Sequence, residues 1–173
     1  ASHALQPFHL PGYATIVYES YEQLGVLPAT LVAPIGHGSL FLGSLMGARS
    51  LEAFMGKSRT VMHVGVQPTN CAPIVKAWEG TVFEGFVEPG IAEGTQVSEP
   101  VRAKEILEAL IPGKDLLYVI EEDAIQQAWK ELIRAGFFVE PTSAMVWAAY
   151  QRWGKDWSKP IVLILTGSGL KFN

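Results

Sequence analysis

Residues 29–43 read ATLVAPIGHGSLFLG, and this stretch decides the fold. The apolar, β-branched run over residues 30–35 predicts a buried strand, and the apolar pattern that resumes at Leu40 predicts a helix. Between them lies the short turn GHGS, residues 36–39. A strand that passes through a glycine turn into a helix is typical of phosphate sites, because free backbone N–H groups and the helix dipole face the anion. A βα turn whose glycines serve only packing is the competing interpretation.

The composition limits the classes of protein to which this chain can belong. The chain has 173 residues, of which 49% are apolar, and a net charge of −4. This predicts one domain, residues 1–173, whose sheet is buried on both faces. No basic stripe and no apolar run of membrane-spanning length occurs, so we expect neither nucleic acid nor a membrane as partner. The single cysteine, Cys71, fits a reducing, cytoplasmic location, and the histidines lack metal-ligand spacing, so no metal is predicted.

The rest of the chain alternates helical and strand patterns. Helices are predicted over residues 13–24, 40–54, 72–78, 99–111 (with Ser98 as N-cap), 121–135 and 143–153, and strands over residues 30–35, 60–66, 115–120 and 160–165. This alternation predicts an α/β fold with a mostly parallel sheet between two helical layers. The last strand is fully apolar, so we predict that it is central. Gly43 and Gly47 inside the second helix predict close packing of that helix on the sheet.

Two strands end in polar glycine turns, at residues 36–39 and 166–169. The carboxyl ends of parallel strands share one edge of a sheet, so the two turns are expected to lie together. Hydroxyls of Thr166 and Ser168 could bond a ring nitrogen, and Glu140 is expected at the same edge. The alternative is that the hydroxyls only satisfy the turn backbone and that Glu140 only favours a helix start. His63 inside the second strand is interpreted as a core or edge histidine with satisfied hydrogen bonds, in preference to a ligand.

Seven short motifs follow one another in a fixed order. They are GYAT with YE (residues 12–15 and 18–19), VAPIGHGSL (32–40), VQ with CAPI (66–67 and 71–74), IAEG (91–94), PVR (100–102), EPTSA (140–144) and LTGSGLK (165–171). In this order they resemble the C-terminal half of threonine synthase, among the pyridoxal-phosphate enzymes of the tryptophan-synthase-β fold type. The last two motifs favour threonine synthase within that fold type, and the resemblance covers nearly the whole chain.

The resemblance implies pyridoxal 5'-phosphate as cofactor, with phosphate or sulfate able to take its place. The residues implied to bind it are Gly36, His37, Gly38, Ser39, Leu40 and Thr166. In such a site the loop N–H groups receive the phosphate and the Thr166 hydroxyl meets the pyridine nitrogen. A hydroxyl there, instead of a carboxylate, is expected to leave that nitrogen largely unprotonated. His37 stands where the family often carries another residue.

One departure from the family concerns the chemistry. The Ser-Phe-Lys-Asp type of motif that carries the Schiff-base lysine does not occur here, so no catalytic residue is assigned. We therefore expect residues 1–173 to form the C-terminal part of the large domain of a lyase that converts O-phosphohomoserine to threonine and phosphate. Alone, this part is expected to be inactive. A missing N-terminal half or a second copy is expected to cover its apolar surface, and an amino-acid substrate would bind the completed enzyme.

Two other functions fit the sequence. One is a non-catalytic α/β module that binds an anion or presents an interaction surface. The other is part of a threonine dehydratase or another β-replacement enzyme, because most substrate contacts would lie outside this chain. The intact mass of the natural gene product separates the module from the enzyme, since a longer chain with a lysine motif supports the enzyme.

Overall fold

The computed structural model describes residues 5–6, 8–58, 60–85 and 88–172. Its helices are α1 (His9–Leu24), α2 (Ser39–Phe54), α3 (Pro73–Trp78), α4 (Ala103–Ala109), α5 (Glu122–Arg134) and α6 (Pro141–Trp153). Its strands are β1 (Thr30–Pro34), β2 (Met62–Pro68), β3 (Leu116–Ile120) and β4 (Ile161–Leu163). Short 3-10 helices occur at Glu93–Thr95, Gly154–Asp156 and Gly169–Phe172. None of the helices in these ranges is long and apolar enough to cross a membrane.

The four strands form one parallel sheet in the order β3-β2-β1-β4. Successive side chains of β1 point to opposite faces, so Leu31 packs with α1, α2 and α4 while Val32 packs with α5 and α6. Two separate apolar cores therefore lie on the two faces of the sheet. The predicted three-layer α/β fold is confirmed.

The prediction that the last strand is central is wrong. Strand β4 lies at one edge of the sheet and pairs with β1 alone, through three residue pairs. All three of its side chains are only half-buried. Ile161 and Leu163 pack against the core on the α5–α6 side of the sheet. Apolar residues in a strand therefore report burial of its faces, whereas the number of neighbouring strands leaves no mark in the local sequence pattern.

Helix α4 is shorter than the predicted helix over residues 99–111. It begins at Ala103 with Arg102 as its N-cap, whereas the sequence predicts Ser98 in that role. The backbone N–H of Arg102 donates to the carbonyl oxygen of His37 at 3.1 Å. This bond holds the preceding segment out of the helix, and it links α4 to the β1–α2 turn at which the sequence predicts an anion.

Gly43 and Gly47 do permit close packing, but against α1 instead of the sheet. A Cβ on Gly43 would lie 2.9 Å from the carbonyl oxygen of Leu10, and one on Gly47 would lie 2.5 Å from that of Ala14. These contacts, and one of 2.5 Å between a Cβ on Gly43 and the Cβ of Tyr13, involve atoms that move only with the helix, so side chains at these positions would push α1 away. The two glycines therefore set the distance between α1 and α2.

The buried carboxylate of Asp115 joins β2 to the segment before β3. The carboxylate of Asp115 accepts hydrogen bonds from the backbone N–H groups of His63 at 2.9 Å and Ile111 at 2.8 Å, and His63 Nδ1 lies 3.5 Å from it. Burial by itself would raise the pKa of Asp115, but the bonds from His63 and Ile111 outweigh it and hold that pKa below its ordinary value. His63 is a core residue, as interpreted from the sequence.

We predict that Asp115→Asn destabilises the fold in a pH-dependent way. Because the pKa of Asp115 is lower in the folded chain than the unfolded value of about 3.9, its contribution is present above about pH 4 and is lost as pH falls through the folded value. Urea unfolding at pH 7 should show a loss of about 1–3 kcal/mol, the cost of leaving buried donors unpaired. At lower pH the free energies of unfolding of the unmodified chain and the Asp115→Asn variant should converge. Glu108→Gln, on the exposed face of α4, is the control. If Asp115→Asn lowered the free energy of unfolding by the same amount at pH 7 and at pH 3, the prediction would be contradicted.

Candidate functional site

A cavity of about 180 Å³ opens at the carboxyl end of β1. Its walls come from α1, the β1–α2 turn, the 3-10 helix Glu93–Thr95, the start of α6 and the segment that follows β4. The lining residues are Tyr13, Pro34, Gly36, His37, Gly38, Ser39, Leu40, Gly94, Thr95, Glu140, Thr142 and Thr166. All six residues that the sequence assigned to cofactor binding are among them, so the structure brings both polar turns to one cavity.

The amino end of α2 faces this cavity without a side-chain cap. Gly38 is the N-cap residue and has a φ of 96°. The first-turn N–H groups of a helix have no acceptor inside the helix, and the dipole makes this end positive. The hydroxyl of Ser39 is buried and has no hydrogen-bond partner among the described residues. An anion with several oxygen atoms would satisfy these donors.

Helix α4 packs behind the turn and forces glycine at position 38. A Cβ there would overlap the Cδ1 atom of Ile106 and lie 3.1 Å from Cβ of Arg102. The positive φ adds a backbone cost for any other residue. No role for α4 at this turn was predicted from the sequence, although the PVR motif that precedes the helix was the signal that could have drawn attention to it.

The opposite wall of the turn is backbone. A Cβ on Gly36 would lie 2.7 Å from the carbonyl oxygen of Gly94, and one on Gly94 would lie 3.0 Å from Oγ1 of Thr142. Thr142 is buried, and its hydroxyl has no partner among the described residues. Thr142 was not predicted as a lining residue. Two orphaned hydroxyls, those of Ser39 and Thr142, thus line one cavity, which fits a phosphate-bearing ligand.

At the other end of the cavity, Thr166 is held by Glu140 and Ser143. Its hydroxyl donates to Oε1 of Glu140 at 2.7 Å, and its backbone N–H donates to Oγ of Ser143 at 2.8 Å. Thr166 and Glu140 therefore share the edge predicted for them. Ser168 forms a backbone bridge with Val139 and its hydroxyl accepts from the N–H of Leu170, so it serves the turn and does not line the cavity.

The buried side chain of Gln67 ties the ends of β1 and β2 to α3. Its Nε2 atom donates to the carbonyl oxygen of Ile35 at 3.2 Å, and its Oε1 atom accepts from the N–H groups of Ile74 and Val75 at 2.9 and 3.1 Å. Since Ile35 precedes the glycine turn, Gln67 fixes the direction in which the chain enters the site. It is fully buried and is a positioning residue that was not predicted from the sequence.

No lysine is among the described residues that line the cavity. The side chain of Lys171 lies outside the part of the chain that the structure describes. Within that part there is also no cluster of three or more metal-ligating side chains. The arrangement can bind an anion and position a ring, while no amine of the described lining residues is placed to attack a bound carbonyl.

Comparisons with known proteins agree with this geometry. The family described as "Pyridoxal-phosphate dependent enzyme" matches residues 1–167. Threonine synthase of Methanocaldococcus jannaschii is 28% identical over 97% of this chain and 44% of its own length, and that of Mycobacterium leprae is 26% identical over 97% and 47%. The chain thus spans less than half the length of these curated relatives.

Solved structures show the same fold. The crystal structure of a threonine deaminase from T.th. has a TM-score of 0.78 at 24% identity, with 97% of this chain and 61% of that chain covered. Threonine deaminase isoform 2 from Solanum lycopersicum has a TM-score of 0.71 at 25% identity, with 96% and 48% covered. Both structures extend well beyond the part that this chain matches.

We predict that Gly38→Val weakens the binding of inorganic phosphate at least tenfold, because the new side chain displaces the turn whose N–H groups face the anion. Isothermal titration with phosphate measures the effect. Gly113→Val is the matched control, since Gly113 also has a positive φ of 79° but has no atom within 4 Å of a Cβ and lies outside the cavity. Equal affinities for the two variants would show that the anion binds elsewhere.

Proposed function

The chain belongs to the family of pyridoxal-phosphate dependent enzymes, and from that premise we propose that it is the cofactor-cradling part of a threonine-synthase-like lyase. The single observation that carries this proposal is one cavity with an uncapped helix end and an orphaned Ser39 hydroxyl on one side and a positioned Thr166 hydroxyl on the other. The two sets of polar groups together suit a ligand that combines a phosphate with a ring that carries a hydrogen-bonding nitrogen.

Each end of the cavity has a separate task in this proposal. The bound cofactor supplies an electron sink for reactions at an amino acid's α and β carbons. The turn of residues 36–39 and the first turn of α2 bind its phosphate and fix its position. Thr166 orients the ring, and the apolar cores on both faces of the sheet keep these groups rigid, because side chains packed at crystal-like density resist displacement.

A threonine-synthase-like reaction is favoured over others by the sequence relatives. Both curated relatives quoted above are threonine synthases, and each aligns with 97% of this chain. The EPTSA and TGSGLK motifs that favour this activity lie at the cavity, through Glu140, Thr142 and Thr166. The proposed substrate is therefore O-phosphohomoserine, with threonine and phosphate as products.

A second candidate, dehydration of a hydroxy-amino acid, is favoured by the structural neighbours. Two threonine deaminases superpose with TM-scores of 0.78 and 0.71. Assays of the complete enzyme separate the two reactions, since phosphate release from O-phosphohomoserine supports the synthase and ammonia release from threonine supports the deaminase.

We further propose that another chain segment or a second copy completes the site. The open edge of β4 presents the half-buried apolar side chains of Ile161, Val162 and Leu163, and Phe137 and Phe138, which precede α6, are about half exposed. Apolar surface of this kind favours association. In this proposal the covalent anchor and the catalytic base come from that completing part.

The described lining of the cavity contains no lysine, which leads to a labelling prediction. With pyridoxal phosphate and borohydride, this chain should show only scattered, substoichiometric labelling of lysines by peptide mapping, because no described lysine lines the cavity. A nucleophilic lysine would need a lowered pKa beside the cofactor. The Gly38→Val variant gives the background level of lysine labelling expected when the anion site is lost. Stoichiometric labelling of one lysine in the unmodified chain, absent from Gly38→Val, would show that the chain supplies its own anchor.

The open edge leads to a prediction about association. Sedimentation velocity over a range of concentrations should show a homo-oligomer at high concentration. Val162→Lys should shift the equilibrium toward monomer, because burying the added charge at the β4 edge is costly. Ile133→Lys, on the surface of α5, should leave it unchanged. A monomer at every concentration would contradict self-association.

A further inference from the structure

We propose that Thr142, at the start of α6, is a binding residue of the cavity, and that its hydroxyl donates a hydrogen bond to an anion seated at the amino end of α2. The anion is then held from two sides, by the β1–α2 turn and by α6. This inference rests on the proposed function, because it adds a residue to the same anion site. Thr142 is not among the residues that the sequence assigned to cofactor binding.

The hydroxyl of Thr142 is buried without a partner. The residue is only 4% exposed, and its Oγ1 atom makes no hydrogen bond among the described residues. A buried donor that stays unpaired is costly, so the large majority of such groups in proteins have a partner. Thr142 also lines the cavity. A ligand that brings an oxygen atom into the cavity therefore supplies the partner that this hydroxyl lacks.

The position of Thr142 in its helix explains why the hydroxyl is available. A hydroxyl inside a helix commonly donates to a carbonyl of the preceding turn, as Ser44 in α2 donates to the carbonyl oxygen of Leu40 at 2.9 Å. Because α6 begins at Pro141, the residues three and four before Thr142 lie outside the helix. The Thr142 hydroxyl is therefore left for a contact in the cavity.

The polar neighbours of Thr142 in α6 already have partners. Oε1 of Glu140 accepts from the hydroxyl of Thr166 at 2.7 Å and from the N–H of Gly167 at 2.9 Å. Oγ of Ser143 accepts from the N–H of Thr166 at 2.8 Å. These bonds tie both residues to the segment that follows β4. Thr142 lies between them in the chain and takes no part in this network, so its hydroxyl proton is not taken up by the carboxylate.

Gly94 lies between Thr142 and the β1–α2 turn. A Cβ on Gly94 would lie 3.0 Å from Oγ1 of Thr142, and one on Gly36 would lie 2.7 Å from the carbonyl oxygen of Gly94. The Thr142 hydroxyl thus packs on one side of a single glycine, and the turn packs on the other. This close packing brings the donor from α6 next to the N–H groups at the start of α2.

Helix α6 also contributes through its dipole. Its amino end has no side-chain cap, like that of α2, and the amino end of a helix is positive. Both helices begin at the same cavity, so an anion there is stabilised by two helix ends. The carboxylate of Glu140 opposes this field, but it lies at the other end of the cavity, where Thr166 and Gly167 donate to it.

The test compares valine and serine at position 142 by isothermal titration with inorganic phosphate. Thr142→Val keeps the shape of the side chain and removes the hydroxyl. The affinity should fall about tenfold, the effect of losing one hydrogen bond to a charged acceptor. Thr142→Ser keeps the hydroxyl and should retain most of the affinity. Thr81→Val, at an exposed position outside the cavity, should leave the affinity unchanged.

Urea unfolding in phosphate-free buffer separates a ligand contact from a structural role. Thr142→Val should unfold at the same urea concentration as the unmodified chain or at a higher one, because it removes a donor that folding buries unpaired. Thr95→Val should unfold at a lower concentration, since the hydroxyl of Thr95, which is buried at the same cavity, donates to the carbonyl oxygen of Ala92 at 2.9 Å. A midpoint for Thr142→Val as low as that of Thr95→Val would overturn the proposal.

The phosphate titrations can overturn it as well. An unchanged affinity in Thr142→Val, or a loss that also occurs in Thr142→Ser, contradicts the role of the Thr142 hydroxyl. If Gly38→Val still weakens phosphate binding in that case, the proposed function is retained. If the unmodified chain binds no phosphate, both proposals fail. Thr142→Ala removes the same hydroxyl and serves if the valine variant does not fold.

Discussion

The backbone conformation at Gly38 is the constraint on which the site depends. Its φ of 96° turns the chain from β1 into α2 so that the first-turn N–H groups face the cavity. Helix α4 closes the space behind it, because Ile106 occupies the place of a Cβ and Arg102 donates its N–H to His37. Any residue with a side chain would strain the turn through its positive φ and would require the Ile106 side chain to shift.

Buried polar side chains hold the strand ends around the site in place through hydrogen bonds. Gln67 ties the end of β1 to the start of α3, and Asp115 ties β2 to the segment before β3. Glu52 does the same where α2 returns to β2, accepting from the backbone N–H of Val61 at 2.8 Å. Each satisfies backbone groups that would otherwise be buried without partners, at a cost of about 1–3 kcal/mol apiece. The strand ends that shape the cavity are therefore held by hydrogen bonds as well as by apolar packing.

The described lining of the site suits the binding and orientation of a ligand. Backbone groups and small hydroxyls dominate its described lining, to which Glu140 adds one carboxylate. Such groups bind and orient, while nucleophilic attack needs an amine that the described lining does not contain. The chain spans less than half the length of the curated relatives it matches.

The sequence by itself determined the features that depend on residues close together in the chain. Apolar periodicity predicted the order of strands and helices, and the GHGS turn predicted where backbone N–H groups are left free. Only the tertiary structure decided what depends on contacts between distant residues. It placed apolar β4 at an edge, shortened α4 through a bond to His37, and set Gly43 and Gly47 against α1. It also placed Thr142 at the cavity and paired the Thr166 hydroxyl with Glu140, which is 26 residues away in the chain. Hydrogen bonds and packing between distant residues produce no periodic pattern in the sequence, so the sequence could not predict them.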